Sequence, residues 1–203
     1  MAPRTLPTGP LSAATPFELI AFGGSAGGMV ALRQVLSRLP DDFPIPIVVV
    51  HHLADASRLP EVLNQQSSLP CRWAEYGERP QASEVLVARP GGNIVLGETG
   101  SLEASPGPKL PMGWPSVDIF LRSMAAHLGP RGIAVVLSGM MHDGADGMSA
   151  VRRSGGATLV QDPRTAEFPE MPSAAVDLGR ADLMLPTDQI AEALQILAER
   201  GVQ

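Results

Sequence analysis

Residues 20–28 read IAFGGSAGG, an apolar run followed by four glycines around one serine and one alanine. A strand that ends near Phe22 and a helix that starts near Gly27 leave Ser25 in the sharp turn between them. Three readings fit such a turn: a phosphate cradle, a nucleophile raised on an elbow, or only a tight corner. Outward from it, short apolar runs alternate with helical patterns. Runs at 17–22, 45–50, 85–88, 133–137, 157–161 and 182–185 read as strands, several of them continuously apolar, as strands covered on both faces are. Met29, Leu32, Leu36 and Leu39 form a stripe that stops at Pro40. Val117, Phe120, Leu121, Met124 and Leu128 form a second, closed by Gly129-Pro130. A third helix spans 145–153, and a fourth follows Thr187. This alternation predicts an α/β fold: a doubly wound, mainly parallel sheet with helices on both faces. Residues 70–112 break the rhythm and predict a small antiparallel edge.

The 203 residues suit one such domain, over 17–203, and the chain shows no internal repeat. With 21 glycines and 20 prolines it is rich in turns, and with 4 % aromatic residues its core must be aliphatic. Four prolines in residues 1–16 predict a disordered tail with no secretory signal. No segment approaches the roughly 20 apolar residues of a membrane span, so no membrane insertion is expected. The net charge is −6 and the only lysine is Lys109, which argues against a nucleic-acid partner. A lone cysteine, Cys71, is read as a plain side chain near a strand start and fits a reducing, cytoplasmic location.

The phosphate readings of the turn fail. No lysine follows the glycines, as Walker A requires, and no frame supplies the first, third and sixth glycines of a dinucleotide fingerprint. The next strand ends in HHL rather than in the acidic residue that would hold a ribose. No cofactor is expected. By contrast, Gly23-Gly24-Ser25-Ala26-Gly27 matches G-x-S-x-G on a strand-to-helix turn, the setting of a nucleophile elbow. A serine nucleophile needs a base, and the base an orienting acid. The second strand delivers His51 and His52 to its carboxyl end, and the run at 133–137 leads into SGMMHDGADG with His142, Asp143 and Asp146. Serine, histidine and aspartate thus each follow a buried strand at the edge where doubly wound sheets bind ligands. The order Ser…His…Asp differs from that of α/β-hydrolases.

Three stretches, FGGSAGGMVALRQVLSRLPDDFPIPIVVVHHL, WPSVDIFLRS and GIAVVLSGMMHDGADGM, resemble the catalytic domain of the bacterial chemotaxis receptor methylesterases. The resemblance runs from about Phe17 to Arg200. It implies a serine–histidine–aspartate hydrolase of glutamyl methyl esters on receptor helices, with glutamine deamidation in some members. Matched motif by motif, the nucleophile falls on Ser25, the base on His52 and the acid on Asp143, leaving His51 at a glutamine of the family pattern. Its partner would be a methylated receptor or another signalling protein, such as one outside chemotaxis. Family members commonly carry a receiver domain in front. Here the proline-rich tail stands in that place, so receiver-type regulation within the chain is not expected, and a separate regulatory chain is left open. Three residues depart from the pattern: Trp114 replaces an arginine, Met141 a glycine, and the stretch PGGNIV, with Asn93, lacks a histidine. All three are expected to border the substrate.

Two rival readings stay open. A metal hydrolase would draw on His51, His52, His142 and Asp143, although adjacent strand histidines diverge and no H-x-H or H-E-x-x-H spacing occurs, so no metal is expected. A catalytically weak interaction module would keep the fold and lose the activated serine. Met140, Met141 and Met148 are read as core filling, and DGADG as a turn and helix start.

Overall fold

A computed structural model describes residues 17–52, 57–105, 114–178 and 180–200. The proline-rich tail at 1–16 lies outside them. Seven strands form one sheet: β1 (Leu19–Gly24), β2 (Ile47–His51), β3 (Cys71–Trp73), β4 (Val85–Val87), β7 (Gly132–Val136), β8 (Ala157–Gln161) and β9 (Leu183–Leu185). Their order is β3-β4-β2-β1-β7-β8-β9, and every pairing is parallel. β5 (Asn93–Leu96) and β6 (Leu102–Ser105) pair antiparallel as a separate small sheet. The helices are α1 (Gly28–Leu36), α2 (Leu59–Leu63), α3 (Val117–Leu128), α4 (Ala145–Arg153), α5 (Glu170–Asp177) and α6 (Thr187–Arg200).

Alternate residues of each central strand point to opposite faces, and the two faces feed two cores. Ile20, Phe22, Ile47, Val49, Ile133 and Val135 pack with Leu32, Val35 and Leu36 of α1 and Ile190 and Leu194 of α6. Leu19, Ala21, Val48, Val50, Ala134 and Val136 pack with Phe120, Leu121 and Met124 of α3, Met148 of α4 and Met171 of α5. Burial on both faces explains why these strands are apolar throughout rather than alternating. Ile94, Leu96 and Leu102 of the antiparallel pair join the second core, so that pair closes over α3.

Three expectations are corrected. Met29 does not belong to the buried stripe of α1: it sits in the first turn of the helix, at the carboxyl edge of the sheet, and is 38 % exposed while Ala31, Leu32, Val35 and Leu36 are buried. Cys71 does open a strand, but β3 and β4 extend the main sheet in parallel, so the antiparallel reading of 70–112 holds only for β5 and β6. Of the methionine-rich loop, only Met148 fills the core, and Met140 and Met141 are half-exposed.

The strand order reverses at β1, which pairs with β2 on one side and β7 on the other. The crevice beyond the carboxyl ends of strands at such a switch point is where open α/β sheets bind ligands. Gly24 stands in register with His51, and Gly23 with Val136. The loops after β1, β2 and β7 therefore meet at one place.

Candidate active site

Ser25 occupies the turn from β1 into α1. Its amide donates to the Ser138 carbonyl at 3.0 Å, and its own carbonyl accepts from the Gly28 amide at 2.8 Å. The turn closes through Gly27, held at φ 72, where a Cβ would stand 2.5 Å from Ser138 Oγ and 2.9 Å from Glu167 Cβ. Glycine is needed there on both counts. Gly139 is equally confined: a Cβ would collide with Met171 Sδ and come within 3.0 Å of Ser25 Cβ. α1 has no side-chain cap and no acidic residue in its first turn. Among the described residues, the Ala26 and Gly27 amides make no backbone hydrogen bond. Unpaired donors at a helix N-terminus suit a developing oxyanion.

His52 follows β2 directly, anchored by its amide to the Gly24 carbonyl at 3.1 Å. Its Nδ1 lies 3.2 Å from Ser25 Oγ, and its Nε2 lies 2.8 Å from Asp143 Oδ2. An ionised Asp143 can only accept, so Nε2 carries the proton and Nδ1 presents a lone pair to the serine hydroxyl. Asp143 is fully buried. Oδ2 also accepts from the Val117 amide at 2.8 Å, while Oδ1 accepts from Ser116 Oγ (3.2 Å) and the Asp118 and Gly144 amides (2.9 and 3.0 Å). Burial alone would raise its pKa. The hydrogen bonds from His52 and from the Asp118 and Val117 amides outweigh it and hold the carboxyl below the usual range. The site thus contains a hydroxyl, an imidazole in a fixed tautomer and a buried carboxylate, joined in one hydrogen-bonded chain.

Residues 20–194 match the CheB methylesterase family. The chain belongs to that family. It is 41 % identical over 204 residues to a Burkholderia thailandensis protein named protein-glutamate methylesterase/protein-glutamine glutaminase 4, covering all of this chain and 59 % of that one. A similarly named protein of Anaeromyxobacter dehalogenans is 42 % identical over 182 residues, which are 89 % of this chain and 53 % of the relative. The chain thus spans somewhat over half the length of these curated relatives. The crystal structure of the Thermotoga maritima CheB methylesterase catalytic domain superposes with a TM-score of 0.85 at 31 % identity, over 90 % of this chain and all of that one.

Around the aligned chain of a CheB-type domain, the other candidates fall elsewhere. His51 is buried at the end of β2, turned away from the serine hydroxyl, and His142 and Asp146 are exposed. Among the described residues no three His, Cys, Asp or Glu side chains group as metal ligands. Asn93 does not border the site, contrary to the expectation from its motif. It is 2 % exposed, and its Oδ1 accepts from the Ser116 amide at 2.9 Å, placing it behind the residue that holds Asp143. Met140 and Met141 do reach solvent, Met141 in a left-handed conformation at φ 66.

The supports of the site were not evident in the motifs. Ser116 caps α3 and reaches Asp143, so the PSVD segment is a cradle for the carboxylate. Asp118 Oδ1 accepts from the Gly144 and Gly147 amides at 3.0 and 2.6 Å, supplying α4 with the cap its own glycine lacks. Ser138 Oγ donates to the Ala26 carbonyl at 2.8 Å and accepts from the Phe168 amide at 3.0 Å. Through Phe168 and Met171, which bond to Gly139, the start of α5 and the residues before it are strapped across the Ser25 turn. Only the N-cap position of Ser116 carried a sequence signal for any of this.

Proposed function

We propose that this chain is a serine hydrolase that demethylates glutamyl methyl esters on receptor-type signalling helices and deamidates glutamines there by the same route. The observation that carries the reading is the hydrogen-bonded chain Ser25 Oγ–His52–Asp143 at the switch point of the sheet. Family membership and the relatives' names support the choice of ester. Among the described residues no helix is long and apolar enough to cross a membrane. The reading puts the protein in the cytoplasm, where such receptor helices are reached.

In this mechanism His52 Nδ1 takes the proton as Ser25 Oγ attacks the ester carbonyl carbon. The oxyanion is held by amides of the Ala26–Gly27 turn. The imidazolium, stabilised by Asp143, returns the proton to the departing methoxide, and methanol leaves. Water attacks the acyl-enzyme with Nδ1 as base, freeing the glutamate carboxylate and restoring Ser25. With a glutamine substrate the leaving group is ammonia. Each part of this route is a recognised contribution to acyl transfer.

The test is methanol release from a methylated receptor fragment and ammonia release from its glutamine form. Both are expected to depend on Ser25. Release of neither, with Ser25 intact, would overturn the reading.

A further inference from the structure

β2 brings two histidines to the site, and the reaction above uses one. His51 closes the strand in register with Gly24 and is 7 % exposed. Its Nδ1 lies 2.9 Å from the His52 carbonyl oxygen, so Nδ1 carries the proton and donates. Its Nε2 is buried and finds no hydrogen-bond partner among the described residues. The ring presses against the nucleophile turn: a Cβ at Gly28 would stand 2.9 Å from Nε2, and one at Gly24 would stand 3.3 Å from Cδ2. Burial lowers its pKa to about 4, outweighing the carbonyls of His52 and Ser25, which act the other way. The ring is therefore neutral wherever an imidazole base can work.

One imidazole thus touches the backbone on both sides of the reacting pair. It holds the carbonyl of His52 and fills the space beneath the glycines that flank Ser25. The His52–Ser25 contact is only 3.2 Å, near the outer edge of a useful hydrogen bond. A small rotation of the strand end would break it, and a misplacement of about 1 Å can cost on the order of a hundredfold in rate.

We propose that His51 is a positioning residue: its Nδ1–H fixes the His52 backbone, and its ring sets the spacing between β2 and the nucleophile turn so that His52 Nδ1 meets Ser25 Oγ. This rests on the hydrolase reading above. The requirement is for an N–H donor of this size at the strand end, not for a titrating group.

The experiment compares His51→Asn and His51→Leu in the full chain, reading kcat and KM on a small activated ester, the rate of Ser25 labelling by a fluorophosphonate, and the thermal midpoint. Asparagine carries its amide N–H at the position of Nδ1, can donate to the same carbonyl and should keep most of the rate. Leucine fills similar space without a donor, and should lose about ten- to a hundredfold in kcat and in labelling rate with KM within about twofold. His51→Met replaces the leucine variant if that one fails to fold. A donorless variant as fast as the wild type would overturn the proposal. So would an asparagine variant that falls as far as leucine, since space or general stability would then explain the loss. A wild type that neither turns over nor labels at Ser25 contradicts the hydrolase reading as well.

Discussion

His52 faces Asp143 with Nε2, at 2.8 Å, and Ser25 with Nδ1, at 3.2 Å. The carboxylate selects the Nε2–H tautomer and thereby fixes which nitrogen presents its lone pair to the serine hydroxyl. Asp143→Asn would keep the volume but let the amide donate, favouring the tautomer that places a proton towards Ser25. We expect a loss of roughly three orders of magnitude in kcat with little change in KM, comparable to Ser25→Ala and His52→Ala. Steady-state kinetics on one ester substrate check all three. An Asp143→Asn enzyme within tenfold of wild type would remove the tautomer argument.

Gly139→Ala is a sharp probe of the strap. Its methyl group would meet Met171 Sδ and crowd Ser25 Cβ at 3.0 Å. The collision with a flexible thioether can relax, but the crowding of the serine cannot without moving the turn. The expected outcome is a stability loss of about 1–2 kcal/mol together with at least a tenfold fall in kcat. Urea unfolding and ester turnover on the same preparation separate the two effects.

Ser116→Ala removes the α3 cap and one of the hydrogen bonds to Asp143 Oδ1. Capping serines are worth about 1 kcal/mol, and Asp143 keeps three backbone amides and His52 as partners. Rate should therefore drop only about three- to tenfold. A loss as large as that of Asp143→Asn would mean that Ser116 does more than support the carboxylate.

Stability should report on His51. Its pKa is about 4 in the folded protein, held down first by burial, against 6.5 for a free ring. Above pH 6.5 both states are neutral and stability is full. As pH falls from 6.5 to 4 the unfolded chain takes a proton that the fold refuses, so stability drops, and below 4 the loss levels off. The total is about 3 kcal/mol at 1.36 kcal/mol per pH unit. Asp143 titrates lower: its depressed carboxyl adds stability above the ordinary carboxylate range and loses it at more acid pH. Urea unfolding at pH 7 and pH 4.5 should thus show His51→Gln losing about 2–3 kcal/mol less than wild type. Parallel losses would mean that His51 is not buried neutral.

The sheet was legible because strands such as IVVVH at 47–51 are apolar on both faces and bounded by turns. The separation of His51 from His52 was legible too, from the two-residue period of a strand. α2 and α5 were not: five residues are too few to show a period, and α5 buries only Met171, Pro172 and Ala175. β3 and β4 were misjudged because a parallel pair joined without a helix has the short strands and turns of a hairpin. The supports of the site stayed hidden for another reason. Ser138 and Asn93 act through hydrogen bonds to residues 23 or more positions away, and no local pattern encodes such contacts.

The central claim is that Ser25 is the covalent nucleophile in glutamyl ester hydrolysis. Its most direct measurement is rapid-quench turnover of a peptide carrying a glutamyl methyl ester, following methanol and the mass of the Ser25 peptide together. The account requires methanol release with a transient glutamyl ester on Ser25, both lost in Ser25→Ala. Methanol release by Ser25→Ala at more than about a tenth of the wild-type rate, or hydrolysis with the acyl group on another residue, would contradict it.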